Sequence, residues 1–343
     1  MFLSKDTNGF YYVYFPGPNG KMKRNSTRCK FKSDALKFLQ TFKSEHSSKS
    51  KTVFFSSFVS EFLQHADTDY SKRTKRIYED VFNLFLRIIG DIPLSYITPQ
   101  HWDKYRSERL KPKEDGKSIS PITVNIELRT LRASLNTALR WNYIKSNPFS
   151  RQKLCFVNEQ SPVFFTREDF KELIKCIGED WLKEVVIFAT LTGMRRGEII
   201  NLKWSDIDLK RKTLTIQSSP SFKTKQGKRR TIPLNETVVF ILQQKAEKVF
   251  SDFVFTFNGA KINYDTLTHK FKEKVVLSKL NDKRLHFHSL RHTFASWLVQ
   301  DGVSLYEVQK LLGHSNIAVT QVYSHLQPEH LHNTVNKIQI ALN

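Results

Sequence analysis

Residues 288–323 read HSLRHTFASWLVQDGVSLYEVQKLLGHSNIAVTQVY. Leu290, Phe294, Trp297 and Leu298 fall on one helical face, so the spacing predicts a helix over 289–300 that stops at Asp301-Gly302. Ser304 with Glu307 three residues on has the form of a capping box for a second helix, which Gly313 closes. His288 and Arg291 then share one side of the first helix's N-terminus, where the helix dipole favours an anion. His314 is delivered just beyond the second helix, and Tyr323 follows nine residues later.

Working outward, Trp181–Thr190 is a strongly apolar helix that stops at Gly193, within Thr192-Gly193-Met194-Arg195-Arg196-Gly197-Glu198. That stop places Arg195 at the mouth of the next helix. Thr213–Ile216 and Arg230–Leu234 have strand composition, and the turn between them, Lys223-Thr224-Lys225-Gln226-Gly227-Lys228-Arg229-Arg230, is very basic. Beyond it the chain reads as mostly helical. Thr166 and Asp169 resemble a capping box near the start of this domain, which follows an irregular segment over 149–162.

Residues 52–148 read as a helical domain. Phe54, Phe55, Phe58, Val59, Phe62 and Leu63 recur at helical spacing, as do Ile77, Val81, Leu84, Phe85 and Ile88. Thr98-Pro99 marks a helix start ahead of Trp102 and Tyr105, and a long last helix carries Val124, Ile126, Leu128, Leu131, Leu135, Ala138 and Leu139. Its polar side holds Arg129, Arg132 and Arg140. Before this domain, Phe10–Phe15 and the basic segment Lys21–Arg28 suggest a hairpin, then a short helix capped by Ser33. The result is a small ββ(β)α module followed by a polar linker, Ser44–Ser50.

Charge narrows the partner. Fifty-five Lys and Arg against 33 Asp and Glu leave +22, spread along the whole chain. An excess of that size implies a polyanion, because each basic side chain set on a phosphate releases condensed counterions. No segment approaches the roughly 18 apolar residues of a membrane span, so no membrane partner is expected. The N-terminus lacks the charged-then-apolar order of a secretory signal, which points to the cytoplasm and the nucleoid. Cys29, Cys155 and Cys176 have neither disulfide-framework nor zinc spacing, so reduced thiols and no metal are expected.

Thr-Gly-x-Arg-x-x-Glu, a hairpin Lys, His-x-x-Arg, Leu-Gly-His and a Tyr nine residues on occur here in that order. Together they resemble the tyrosine recombinase (phage integrase, Xer-like) family over about residues 163–326. The resemblance implies a multidomain, mainly α chain with an α+β catalytic domain over 162–343, including a C-terminal tail over 327–343. It also implies a helical, SAM-like core-binding domain over 52–148 and an arm-type DNA-binding module over 1–46. The implied partner is a double-stranded DNA recombination site held by a homotetramer, with the tail docking on a neighbouring protomer. The implied nucleophile is Tyr323, which cuts DNA to a 3′-phosphotyrosyl link; strands are then exchanged through a Holliday junction.

The residue types suit that chemistry. Two arginines, Arg195 and Arg291, can clamp the non-bridging oxygens of a phosphodiester and mask its charge. A phosphotyrosine ester preserves bond energy, so no nucleotide cofactor is needed for resealing. A lysine can protonate the leaving 5′-oxygen; the family register before Ile232-Pro233-Leu234 selects Lys225, with Lys223 second. His288 and His314 can orient the phosphate and exchange protons.

Neighbouring residues receive plainer readings. His292 is expected to be structural, Glu198 to fix a helix end or an arginine, and Tyr306 to pack. Arg196 is a rival to Arg195 that family spacing sets aside. Lys72, Arg73, Lys75 and Arg76 are expected on DNA phosphates, which position a protein without reading sequence. Two other activities use overlapping parts: single-duplex nicking and closing of the type IB topoisomerase kind, and catalytically silent DNA binding. The arm-like module leans toward a mobile-element integrase, whereas Leu-Gly-His-Ser is equally at home in Xer-type resolvases.

Overall fold

The computed structural model describes residues 1–16, 22–47, 52–112, 116, 118–158, 161–218, 229–247 and 251–327. The chain divides into two compact units, Met1–Asn158 and Glu159–Asn343.

The first unit opens with an antiparallel sheet of three strands, β1 (Phe2–Lys5), β2 (Tyr11–Pro16) and β3 (Met22–Ser26), in that spatial order. Side chains alternate across a strand, so Val13 is buried against Leu39 and Phe42 of α1 (Lys32–Ser47) while Tyr12 and Tyr14 take the other face. Arg24 lies over the Tyr12 ring at 5.0 Å and pairs with Asp6 at 2.9 Å. Two expectations are corrected here. Helix α1 begins at Lys32, with Ala35 N–H already bonded to Phe31 O, so Ser33 sits inside the first turn rather than capping it. The helix also runs through Ser47, so the first four residues of the expected linker are helical.

Four helices follow: α2 (Phe55–Asp69), α3 (Lys72–Ile89), α4 (Pro99–Leu110) and α5 (Pro121–Arg140). Their core is aromatic. Phe55, Phe58, Phe62, Phe82, Phe85, Trp102 and Tyr105 are all fully buried, and edge-to-face pairs such as Phe55–Phe82 and Phe62–Phe82 hold them together. Ser71 caps α3, which explains the helix's sharp start. Lys75 is engaged with Asp67 at 2.7 Å. Ile77 and Ile126, counted by spacing on apolar faces, are exposed. Arg132, expected on a polar face, instead stacks on Trp102 at 4.9 Å and donates to Phe149 O and Gln152 O, pinning the segment after α5.

The second unit begins with α6 (Arg167–Cys176), whose Thr166–Asp169 capping box is formed, and α7 (Asp180–Thr192), ended by Gly193 in the left-handed region at φ 60°. The short α8 (Arg196–Ile200) leads to a second antiparallel sheet, β4 (Ile207–Asp208), β5 (Thr213–Ile216) and β6 (Arg230–Pro233). Then come α9 (Glu236–Ala246), a small hairpin of β7 (Thr256–Phe257) and β8 (Ala260–Lys261), and α10 (Tyr264–Leu277). That hairpin falls where the sequence reads as helical; its two-residue strands are too short to leave an alternating pattern. The unit closes with α11 (Ser289–Gln300), α12 (Leu305–Leu312) and α13 (Ala318–Gln321). The apolar core gathers α6–α10 and the β5–β6 strands, with Leu290 reaching in from α11. A second cluster, Ala295, Val299, Val308 and Leu312, surrounds Tyr323. No helix among the described residues is long and apolar enough to cross a membrane.

Candidate active site

The site is assembled by two helix stops and one buried arginine. At Gly193 the chain leaves α7 in a conformation that favours glycine, and a Cβ there would overlap the Phe294 ring. Arg195 emerges two residues later as the residue before α8. At Gly313, φ 65°, α12 ends in the same way, and a Cβ would lie 2.5 Å from Arg230 Cδ. Arg291, buried in α11, joins the two stops: it donates to Gly193 O at 2.6 Å and to Leu312 O at 2.7 Å. A guanidinium has five N–H donors, so these two bonds do not exhaust it. Burial and then Arg195 pull its pKa down to about 9, which leaves it cationic at neutral pH.

Glu198 orders the other two arginines. Its carboxylate accepts the Arg195 N–H at 2.8 Å and Arg195 Nη1 at 3.0 Å, and takes a bidentate pair from Arg230 at 2.9 and 2.6 Å. Burial alone would push this carboxyl up, but the Arg230 and Arg195 contacts outweigh it and hold it below the usual range. Glu198 therefore both ends a helix and aims Arg195. Arg196, the rival, turns away to cover the Tyr264 ring at 3.3 Å and to bond Thr268.

The histidines form a chain across the N-terminus of α11. His288 stands at the residue before the helix, its ring 5.0 Å from and nearly perpendicular to that of His292, and 6.5 Å from His286. His314 is oriented by Thr320, whose hydroxyl lies 2.9 Å from Nδ1. Burial, then His292 and Arg291, lowers His288 to about 3, and burial, then Arg291 and Arg195, lowers His314 to about 4. Burial, then His286 and Arg291, lowers His292 to about 4. All three are therefore neutral at pH 7 and can donate and accept protons.

Tyr323 follows α13, with its backbone N–H bonded to Thr320 O and the residue only 2% exposed. Its hydroxyl is 2.6 Å from His292 Nδ1. Burial raises the phenol to about 12, against the opposing pull of Arg291. Arg195, His288, Arg291, His314 and Tyr323 thus share one constellation, whereas Lys225 and Lys223 lie outside the described residues. Tyr306, expected to pack, is 60% exposed with Lys310 over its ring at 4.3 Å. Two contributors escape the sequence reading. Arg230 could have been found from the strand period, since it shares a pleat face with buried Ile232; His292 carries no such signal. Among the described residues there is no group of three His, Cys, Asp or Glu that could hold a metal ion.

Known proteins resemble this chain in sequence and in fold. Residues 163–330 match the phage integrase family, and residues 54–154 match the phage integrase SAM-like domain. A tyrosine recombinase XerC of Listeria innocua is 30% identical over 292 residues, covering 80% of this chain and 93% of its own. The chain belongs to the tyrosine recombinase family. A tyrosine recombinase of Thermosipho africanus is 26% identical over 284 residues, covering 81% of this chain and 97% of its own. Among solved structures, the Tn1549 transposon integrase in complex with a circular intermediate DNA superposes with a TM-score of 0.68 at 20% identity, over 83% of this chain and 99% of its own. A lambda integrase dimer bound to a COC′ core site superposes with a TM-score of 0.63 at 18% identity, over 99% of this chain and 97% of its own. This tyrosine recombinase is accordingly a site-specific recombinase that cleaves and rejoins DNA.

Proposed function

We propose that Tyr323 is the nucleophile, that Arg195 and Arg291 clamp the scissile phosphate, and that His288 and His314 orient it. Lys225 is proposed to protonate the leaving 5′-oxygen. The observation that carries this reading is Arg291: one side chain ties together the loops bearing Arg195 and His314 and lies one residue before the histidine bonded to Tyr323. Attack forms the Oη–P bond and breaks the P–O5′ bond, giving a 3′-phosphotyrosyl link and a free 5′-hydroxyl. That hydroxyl, attacking the partner strand's link, reseals DNA without nucleotide hydrolysis.

Residues 52–148 serve as the core-binding domain and 162–343 as the catalytic domain. Residues 1–46 serve as an arm-type module, a reading supported by the 99% coverage of this chain in the lambda integrase superposition. A lambda integrase tetramer bound to a Holliday junction, TM-score 0.61 at 19% identity, supports four protomers exchanging strands through such a junction. The tail, residues 327–343 and nearly all outside the described residues, is proposed to dock on a neighbouring protomer. The work takes place on DNA in the cytoplasm.

Trapping on a nicked duplex tests the assignment, built on the repeat nearest the coding sequence. The wild-type chain is expected to leave an SDS-resistant adduct and Tyr323→Phe none, with DNA retention in a gel unchanged. An adduct formed by Tyr323→Phe refutes the nucleophile, and relaxation of a supercoiled plasmid without any paired-site product favours a topoisomerase.

A further inference from the structure

We propose that His292 is the general base that takes the phenolic proton from Tyr323 as the phosphotyrosyl bond forms. The inference rests on Tyr323 being the nucleophile.

His292 Nδ1 is 2.6 Å from Tyr323 Oη, inside the range in which a base can abstract a proton directly. Both partners are held there. His292 belongs to the second turn of α11, and Tyr323 is 2% exposed among Ala295, Val299, Val308 and Leu312. A neutral phenol is a better donor than acceptor, and an unprotonated imidazole nitrogen is the strongest neutral acceptor within its reach. Tyr323 therefore donates to Nδ1, and the imidazole proton resides on Nε2. His288 and His314 are not so placed: the His314 Nδ1 is taken up by Thr320.

Burial and the groups around the pair explain why the proton stays on the phenol until DNA is present. His286 and His288 face the imidazole from the segment leading into α11, Arg291 is adjacent on the helix, and His314 interacts with it from beyond α12. Burial, His286 and Arg291 disfavour a cationic His292, just as burial disfavours a phenolate. A phosphodiester seated against Arg291 brings a negative charge into the cluster, which raises the proton affinity of His292.

The step balances. The Oη–H bond breaks and its proton goes to Nδ1; the Oη–P bond forms; the P–O5′ bond breaks with its electron pair on O5′, which takes a proton from Lys225 or water. On resealing, the 5′-hydroxyl gives its proton back to Lys225 or water as the O5′–P bond forms; the Oη–P bond breaks, and His292 returns its proton to the departing Tyr323 oxygen.

The test uses the full chain, the nicked duplex described above and single-turnover adduct formation. His292→Ala is expected to slow cleavage by roughly a hundredfold or more, the usual reach of a general base, with DNA affinity unchanged and partial recovery in added imidazole. His292→Asn separates chemistry from positioning and guards against misfolding of the first variant. Its amide oxygen still accepts the phenolic hydrogen bond but cannot take the proton, so its rate should fall as far as that of alanine. A duplex with a 5′-bridging sulfur, whose leaving group needs no acid, should rescue Lys225→Ala but not His292→Ala. Wild-type cleavage rates in His292→Asn, or no imidazole recovery in a folded His292→Ala, overturn the base. Absence of any wild-type adduct, or an adduct that survives Tyr323→Phe, overturns the nucleophile and the base together.

Discussion

Replacing Glu198 by Gln removes a negative charge bonded to both Arg195 and Arg230 while nearly conserving shape. The carboxylate is 2% exposed and the Arg230 side chain 12%, so solvent cannot take over the lost role. Breaking one side of a buried ion pair costs about 3–5 kcal/mol, because the partner charge remains buried and uncompensated. For a unit the size of Glu159–Asn343, each kcal/mol moves the melting temperature by about 2–4 °C. The expected loss is therefore on the order of 10 °C, in the calorimetric transition of this unit at pH 7. The pH dependence has a definite sign. The folded-state pKa of Glu198 lies below its ordinary value, so its contribution is complete above the unfolded-state pKa and fades as pH falls through the folded one. The gap between wild type and Glu198→Gln should accordingly narrow as buffer is taken below the ordinary glutamate range. A variant melting within 2 °C of wild type at pH 7 would falsify the premise that this ion pair holds the site together.

Three further outcomes follow from the packing. Gly193→Ala forces a side chain into a left-handed backbone and against Phe294; urea unfolding should show a loss of about 2–4 kcal/mol, partly recovered by Phe294→Leu. In the helical domain, Arg109 pairs with buried Glu127 at 2.6 Å while Tyr105 donates to the same carboxylate. Arg109→Met alone should cost about 3 kcal/mol, whereas Arg109→Met with Glu127→Leu and Tyr105→Phe, which leaves no donor stranded, should recover most of it, as denaturant midpoints would reveal. Ser304→Ala removes the α12 cap, in which Ser304 and Glu307 bond each other reciprocally; a loss of about 1 kcal/mol is expected, and no change in midpoint would rule out a stabilising cap.

The legible parts of this molecule are those governed by local rules. Helix ends at Gly193 and Gly313, caps at Thr166 and Ser304 and the strand before Pro233 follow from residues a few positions apart, and so are readable from the chain. The register of known motifs extends this to Arg195, His288, Arg291, His314 and Tyr323. What resists reading depends on distant contacts. Arg132 has the composition of a solvated face, yet Trp102 and the carbonyls after α5 draw it inward. His292 lies one residue from a motif position, and the return of the chain 31 residues later gives its Nδ1 a hydrogen-bond partner. Ser33 misleads for a different reason: its preference for caps is real, but the pull of Ala35, Leu39 and Phe42 toward the sheet lets the helix start two residues earlier.

Arg291 has one further consequence, which concerns time. The carbonyls it holds, those of Gly193 and Leu312, belong to the ends of α7 and α12, where backbone acceptors are left over and the helix dipoles are negative. One cation thus serves as the C-terminal cap of two helices, and its entropic ordering is completed when the chain folds. The proposed phosphate clamp is therefore preassembled, so cleavage should begin without a lag on mixing with DNA. Substitutions at this position will register twice, once in the melting curve and once in the progress curve, and only the ratio of the two isolates its chemistry.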